Sequence, residues 1–355
     1  MGGSIKEQTE QLNRTLNTHL NNIHETFQIL EDTPVSSCGK VNWIEVIKMG
    51  EQVSKQATVV GMLWNGGKPK AKHLKENMET YFNFIQGFLF LAHGSKVGAG
   101  PTLSSCIDVA VKQVVHWSFN LFKDSLPLYE SETIDEKNKV PQLVGAVWDA
   151  CTALKKVPTT NITAIGRAIA QVGVSMKDVL REMQEMRLEV PGSEPIDDDD
   201  EDDEDGDLCN VLSPEEMKIA ESAMEVVSET IVMIKELIRS ITGLVKRESS
   251  SNTEGFVECL EKLMKACKET GRQIDELGAC LYPPHEVSEM DEFLYKMDDC
   301  INDLEAQIKE GGFEELLSEA FSRLRSCLKR LKSDFDCACV NGIAKRVEEL
   351  EVVSN

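Results

Sequence analysis

Eleven prolines frame the folding of this chain of 355 residues: Pro34, Pro69, Pro101, Pro127, Pro141, Pro158, Pro191, Pro195, Pro214, Pro283 and Pro284. Each stands at the edge of a segment whose apolar residues recur every three to four positions, and none stands inside one. Inside a helix, proline removes an amide donor and clashes with the preceding turn. In the first turn that donor has no partner to lose. Segments bounded in this way read as helices. No segment alternates with period two over a length that suggests a strand. The apolar set agrees, because Leu, Ile, Val, Met and Ala dominate it and only 6% of the residues are aromatic. That balance suits helix packing better than a β-sandwich.

About ten helices follow. The first five are expected at 4–30, 41–64, 70–93, from Pro101 onward, and at 141–157. The sixth, at 160–188, carries Ile162, Ile165, Ile169, Val172, Met176, Val179 and Met183 on one face. Beyond residue 213 come helices at 213–247, 255–281, 287–309 and 313–335. A terminal segment through Val340, Ile343, Val347 and Leu350 either extends the last helix or forms an eleventh. The length suits about two domains. The expected architecture is all-α: an N-terminal antiparallel bundle over 1–190, a linker over 191–212, and a C-terminal bundle over 213–355.

The linker is set apart by charge. Asp197, Asp198, Asp199, Asp200, Glu201, Asp202, Asp203, Glu204 and Asp205 form an unbroken acidic run. Like charges this dense repel and stay solvated, so the run reads as a tether or long loop, or as a docking site for a basic partner. It is not a calcium loop. With Asp203, Asp205 and Gly206 at loop positions three, five and six, position twelve is Leu212, where a bidentate Glu is required. The chain carries a net charge of −23, and without the segment 194–207 it is still acidic. Direct binding to nucleic acid or to an anionic membrane surface is therefore electrostatically opposed.

Ser213, Pro214 and Glu216 make a helix start, with Ser213 as N-cap and Glu216 closing a capping box. Ser213 is also a candidate phosphosite, since a phosphate at a helix N-terminus is favoured by the dipole. The helix after it has a 3-4-3-4 stripe of Met217, Ala220, Met224, Val227, Ile231, Ile234, Ile238, Ile241 and Val245. Leu237 and Leu244 widen the apolar face and charged flanking pairs are missing, so a bundle helix is favoured over a two-stranded zipper.

Chemistry-bearing motifs are sparse. The 11 cysteines lie mostly within apolar helical patterns, as small hydrophobes in a reducing compartment. Cys337 and Cys339 form a pair with no second Cys/His pair at ligand spacing. None of the six histidines stands in a metal-binding pattern. The stretch from Gly94 to Gly100 lacks the Gly-Lys-Ser/Thr of a phosphate loop and follows a helix, so it reads as an interhelical turn. No signal peptide or spanning segment is visible. The sequons at Asn13 and Asn161 read as chance occurrences. No enzyme, metal or cofactor is expected.

Several stretches taken together resemble the cyclin-D-binding protein family, the GCIP-like regulators: Gly100-Pro101-Thr102-Leu103, Val147-Trp148-Asp149-Ala150-Cys151, the helix from Asn161 through Val179-Leu180-Arg181-Glu182-Met183, the acidic segment, and Leu281-Tyr282-Pro283-Pro284. The order and spacing of these stretches carry the likeness, from about Val41 onward. The resemblance implies bundles akin to those of vinculin and talin, residence in cytoplasm and nucleus, and binding to D-type cyclins. It also implies damping of cell-cycle entry, or of transcription by helix-loop-helix factors. Arg14-x-Leu16 has the short form of a cyclin-docking peptide. A vinculin- or talin-like adaptor for cytoskeletal or trafficking partners is the alternative reading.

Overall fold

The computed structural model describes residues 5–64, 69–129, 139–188, 214–245, 254–281, 287–312 and 314–353. Among the described residues there are ten α-helices and no strand: α1 (Ile5–Asp32), α2 (Trp43–Leu63), α3 (Ala71–Ser95), α4 (Pro101–Ser125), α5 (Lys139–Ala153), α6 (Asn161–Leu188), α7 (Pro214–Val245), α8 (Glu254–Cys280), α9 (Val287–Glu310) and α10 (Glu314–Val353). Pro101 and Pro214 each open a helix. Asn42 caps α2, its side chain accepting from the Ile44 amide. Between α3 and α4 the chain turns on Gly98 at φ 81°, where a side chain would be strained. The segment through Val340, Ile343, Val347 and Leu350 continues α10 without a break. The acidic run from Asp197 to Asp205 and Ser213 lie outside the described residues.

Contacts divide the chain into two compact units, residues 1–164 and 165–355. In the first, the helices form a ring in the order α1, α3, α2, α5, α4. Its core is built from Val46, Val53 and Val60 of α2, Leu74, Met78, Tyr81, Ile85 and Phe88 of α3, and Val114, Leu121 and Phe122 of α4. Trp43 anchors the start of α2, its Nε1 donating at 3.0 Å to the Leu154 carbonyl in the 3-10 turn after α5. Asn161, at the start of α6, clamps the α3–α4 turn: it accepts from the Gly100 amide at 2.7 Å and donates to the Gly98 carbonyl at 2.9 Å. Its sequon is thus spent on a buried structural bond, and the side chain is 6% exposed.

In the second unit α7 runs antiparallel to α10, α10 neighbours α9, and α9 pairs with α8. Glycines let α6 lie close against this set. A Cβ at Gly173 would sit 3.3 Å from Ile234 of α7, and one at Gly166 would sit 3.8 Å from Ile241, seven residues further along each helix in opposite directions. On α8, Cβ atoms at Gly271 and Gly278 would meet Val172 and Val179 of α6 at 2.7 and 2.8 Å. Helix α6 therefore begins at the edge of the first unit and packs with the second for most of its length. The α7 face is broad: Val226, Met233 and Leu237 are buried beside Val227, Ile231 and Ile234. Two sides of this helix are covered, as in a bundle and unlike a paired coil.

The units differ in charge. Residues 1–164 hold 16 basic and 16 acidic side chains, while residues 165–355 hold 22 and 45. The whole net charge of −23 falls on the second unit.

Candidate partner-binding surface

Helix α1 leans mainly on α3 and touches α4 along a short stretch, so the ring of the first unit stays partly open at this last seam. The opening is a groove of about 540 Å³ whose floor is Leu20 and Phe27 of α1 and Val115 and Phe119 of α4. These four are half-buried, and their remaining apolar surface faces the groove. The rims differ in charge. On the α4 side stand Lys112 and His116, with Lys123 further along, its Nζ 6.0 Å from the centre of the Phe119 ring. On the α1 side stand His24, Gln28 and Glu31. His24 bonds to Gln28 at 3.2 Å and His116 to Asn120 at 3.0 Å. Lys112 and Glu31 make no ion pair among the described residues.

At the Glu31 end the groove runs into a cavity of about 320 Å³, because Phe27, Glu31 and Lys112 line both. Leu30, Leu89, Ala92 and Val111 supply its apolar wall, and the Lys96–Asp108 ion pair supplies a charged edge. His93 also lines it. That side chain is 7% exposed, and its Nε2 is buried with no hydrogen-bond partner. An orphaned buried ring nitrogen costs on the order of 1–3 kcal/mol, so it is uncommon in a finished core.

A second cleft, in the C-terminal unit, is polar. Asp334 of α10 accepts from Ser222 at 2.5 Å and pairs with Lys218 of α7 at 2.8 Å, and Arg330 pairs with Glu225 alongside. Burial opposes ionisation of Asp334, but the Lys218 ammonium and the Ser222 hydroxyl outweigh it and hold its pKa below the usual carboxylate value. Lys218 and Asp334, and Arg330 and Glu225, answer each other across the cleft and fix the register of α7 against α10.

Among the described residues, no group of three or more His, Cys, Asp or Glu side chains gathers as a metal site, and no helix is long and apolar enough to cross a membrane. Burial pushes the Cys151 and Cys267 thiols up to about 12 and Cys300 up to about 11, so these sulfurs stay protonated. Cys106, Cys300 and Cys327 are half-buried, Cys259 is buried, and Cys337 is exposed. Leu16 of the Arg14-x-Leu16 triplet is buried in the core, which withholds it from a partner. The groove residues carried no motif in the sequence. Their one signal is a place on the apolar stripes of the first and fourth helices, Leu20 and Phe27 on α1 and Val115 and Phe119 on α4, which read equally well as core.

Two family descriptions match in order along the chain: "Grap2 and cyclin-D-interacting, N-terminal" over residues 45–189, and "Grap2 and cyclin-D-interacting, C-terminal" over residues 197–306. Among curated proteins, the Cyclin-D1-binding protein 1 homolog of Xenopus laevis is 25% identical over 190 residues, covering 52% of this chain and 54% of the relative. The Cyclin-D1-binding protein 1 homolog of Danio rerio is 27% identical over 145 residues, covering 39% of this chain and 40% of the relative. The matched region thus spans about half the length of these relatives, or less.

Proposed function

Since the chain belongs to the Grap2 and cyclin-D-interacting family, we propose that it is a non-enzymatic regulator that binds a D-type cyclin and restrains cell-cycle progression. The ordered match of both family halves is the observation that carries this reading, together with relatives named for binding cyclin D1. Helix-loop-helix transcription factors are the second class of partner, through which the same protein would restrain transcription. Contact with nucleic acid is indirect, because a chain of net charge −23 is repelled by phosphate backbones. Partners of this kind place it in cytoplasm and nucleus. The acidic run from Asp197 to Asp205 is the part of the chain whose charge would attract a basic partner. Titration of the purified full chain with purified D-type cyclins tests the reading, and saturable binding is the expected result. If no D-type cyclin and no helix-loop-helix factor binds, the proposal falls.

A further inference from the structure

We infer that the α1–α4 groove is a docking site for an amphipathic helix with an acidic edge, presented by the D-type cyclin partner; this rests on the reading above. The shape comes first. From Leu20 to Glu31 the groove follows twelve residues of α1, a rise of about 16 Å at 1.5 Å per step. That length suits about three turns of a partner helix, whose residues at i, i+3 or i+4, and i+7 would cover Leu20, Phe27, Val115 and Phe119.

Charge then selects the occupant and its orientation. Lys112 and His116 line the α4 side, with Lys123 beyond them over the Phe119 ring, none in an ion pair among the described residues, and Glu31 stands without one on the α1 side near the cavity. Of the other charged groups facing the cavity, Lys96 at the end of α3 and Asp108 of α4 answer each other. A helix with carboxylates along one edge and a basic residue at the cavity end complements both rims. The opposite pattern places like charges together at Lys112 and at Glu31. A second copy of this chain is a poorer occupant, since every excess carboxylate lies on residues 165–355 and that unit repels its like.

The cavity supplies the anchor. An apolar wall beside the buried His93 ring is the kind of desolvated pocket in which a single side chain carries much of an interface's affinity. A partner residue with an apolar body and a polar tip fits it.

The test titrates the full chain and exposed-residue variants with a purified D-type cyclin. Lys112→Glu and His116→Glu together are expected to weaken binding at least 30-fold, and Glu31→Lys about 5-fold. Lys48→Glu, the same charge change on α2, is expected to stay within two-fold. All four positions are solvent-facing, and far-UV circular dichroism establishes that each variant is folded. Phe119→Ala, which alters the floor without altering charge, is expected to weaken binding at least 10-fold. If the wild type binds and the groove variants bind equally well, the groove inference is overturned and the cyclin-binding function stands. If Lys48→Glu weakens binding as much as Lys112→Glu, long-range charge and not this groove sets the affinity, and the inference is again overturned. If the wild type binds no D-type cyclin, the functional reading fails and this inference fails with it. If the variants change only self-association in light scattering, the occupant is a second copy and the inference is wrong.

Discussion

The Tyr81–Ser118 hydrogen bond lies in the core of the first unit, and removing its two halves should have unequal effects. Tyr81 is fully buried on α3, and its hydroxyl donates at 2.8 Å to the Ser118 Oγ on α4. The ring meets Phe82 and Phe122 edge-on, at centroid distances of 5.9 and 5.1 Å. Those contacts hold the phenol in place, so in Ser118→Ala its O–H is stranded without an acceptor. A stranded buried donor costs about 2 kcal/mol. In Tyr81→Phe the surviving partner is a serine on a helix, which can rotate about χ1 and bond to a carbonyl one turn back. That variant should cost only about 0.5–1 kcal/mol. The double variant strands nothing and should lose about 1 kcal/mol, leaving a coupling of about 1.5–2 kcal/mol. Urea unfolding followed by tryptophan fluorescence is the assay, because all 4 tryptophans, Trp43, Trp64, Trp117 and Trp148, lie in residues 1–164 and report on this unit. The reasoning is refuted if Tyr81→Phe costs as much as Ser118→Ala, or if the double variant equals the sum of the singles.

Three further outcomes are expected. Asn161→Ala should destabilise the first unit by about 2 kcal/mol by releasing two buried bonds to the α3–α4 turn, and Asn161→Asp should not rescue it, because a carboxylate cannot donate to the Gly98 carbonyl; thermal melting followed by fluorescence reads both. Asp334 has its folded pKa depressed, so its contribution is present above the unfolded value near 4 and is lost as pH falls through the lower folded value. Asp334→Asn should therefore be less stable than wild type by about 1–2 kcal/mol at pH 7, with the gap closing as pH falls through that lower folded value, as measured by hydrogen exchange in α7 and α10. Two glycine replacements should differ in sign: Gly145→Ala meets open space in α5 and should stabilise by about 0.5–1 kcal/mol, whereas at Gly61 a Cβ would lie 2.8 Å from Val144 and the same change should destabilise in a urea titration.

Helices were legible in the sequence because their causes are local. Proline acts on its own turn, and a stripe such as Ile162, Ile165, Ile169, Met176 and Met183 is a statement about one helix; all five are buried as that spacing requires. The breadth of the α7 face was legible for the same reason, through Leu237 beside the main stripe. The interhelical turn after α3 needed only Gly98. The groove was far less legible. Leu20, Phe27, Val115 and Phe119 sit at ordinary core positions, and half-burial differs from full burial only through what lies opposite.

By itself, then, the sequence determined the all-helical class, where most helices begin and end, and which residues face inward, since these follow from backbone sterics and a period of 3.6. Only the tertiary structure decided which helices are neighbours. It placed α6 against Gly271 and Gly278 of α8, joined Asn161 to a turn 61 residues earlier, and left the α1–α4 seam open. Each of these depends on the fit between surfaces far apart in the chain. A helical stripe says that a face must be covered, and the covering surface is chosen by shape and charge that appear only once the other helices are in place.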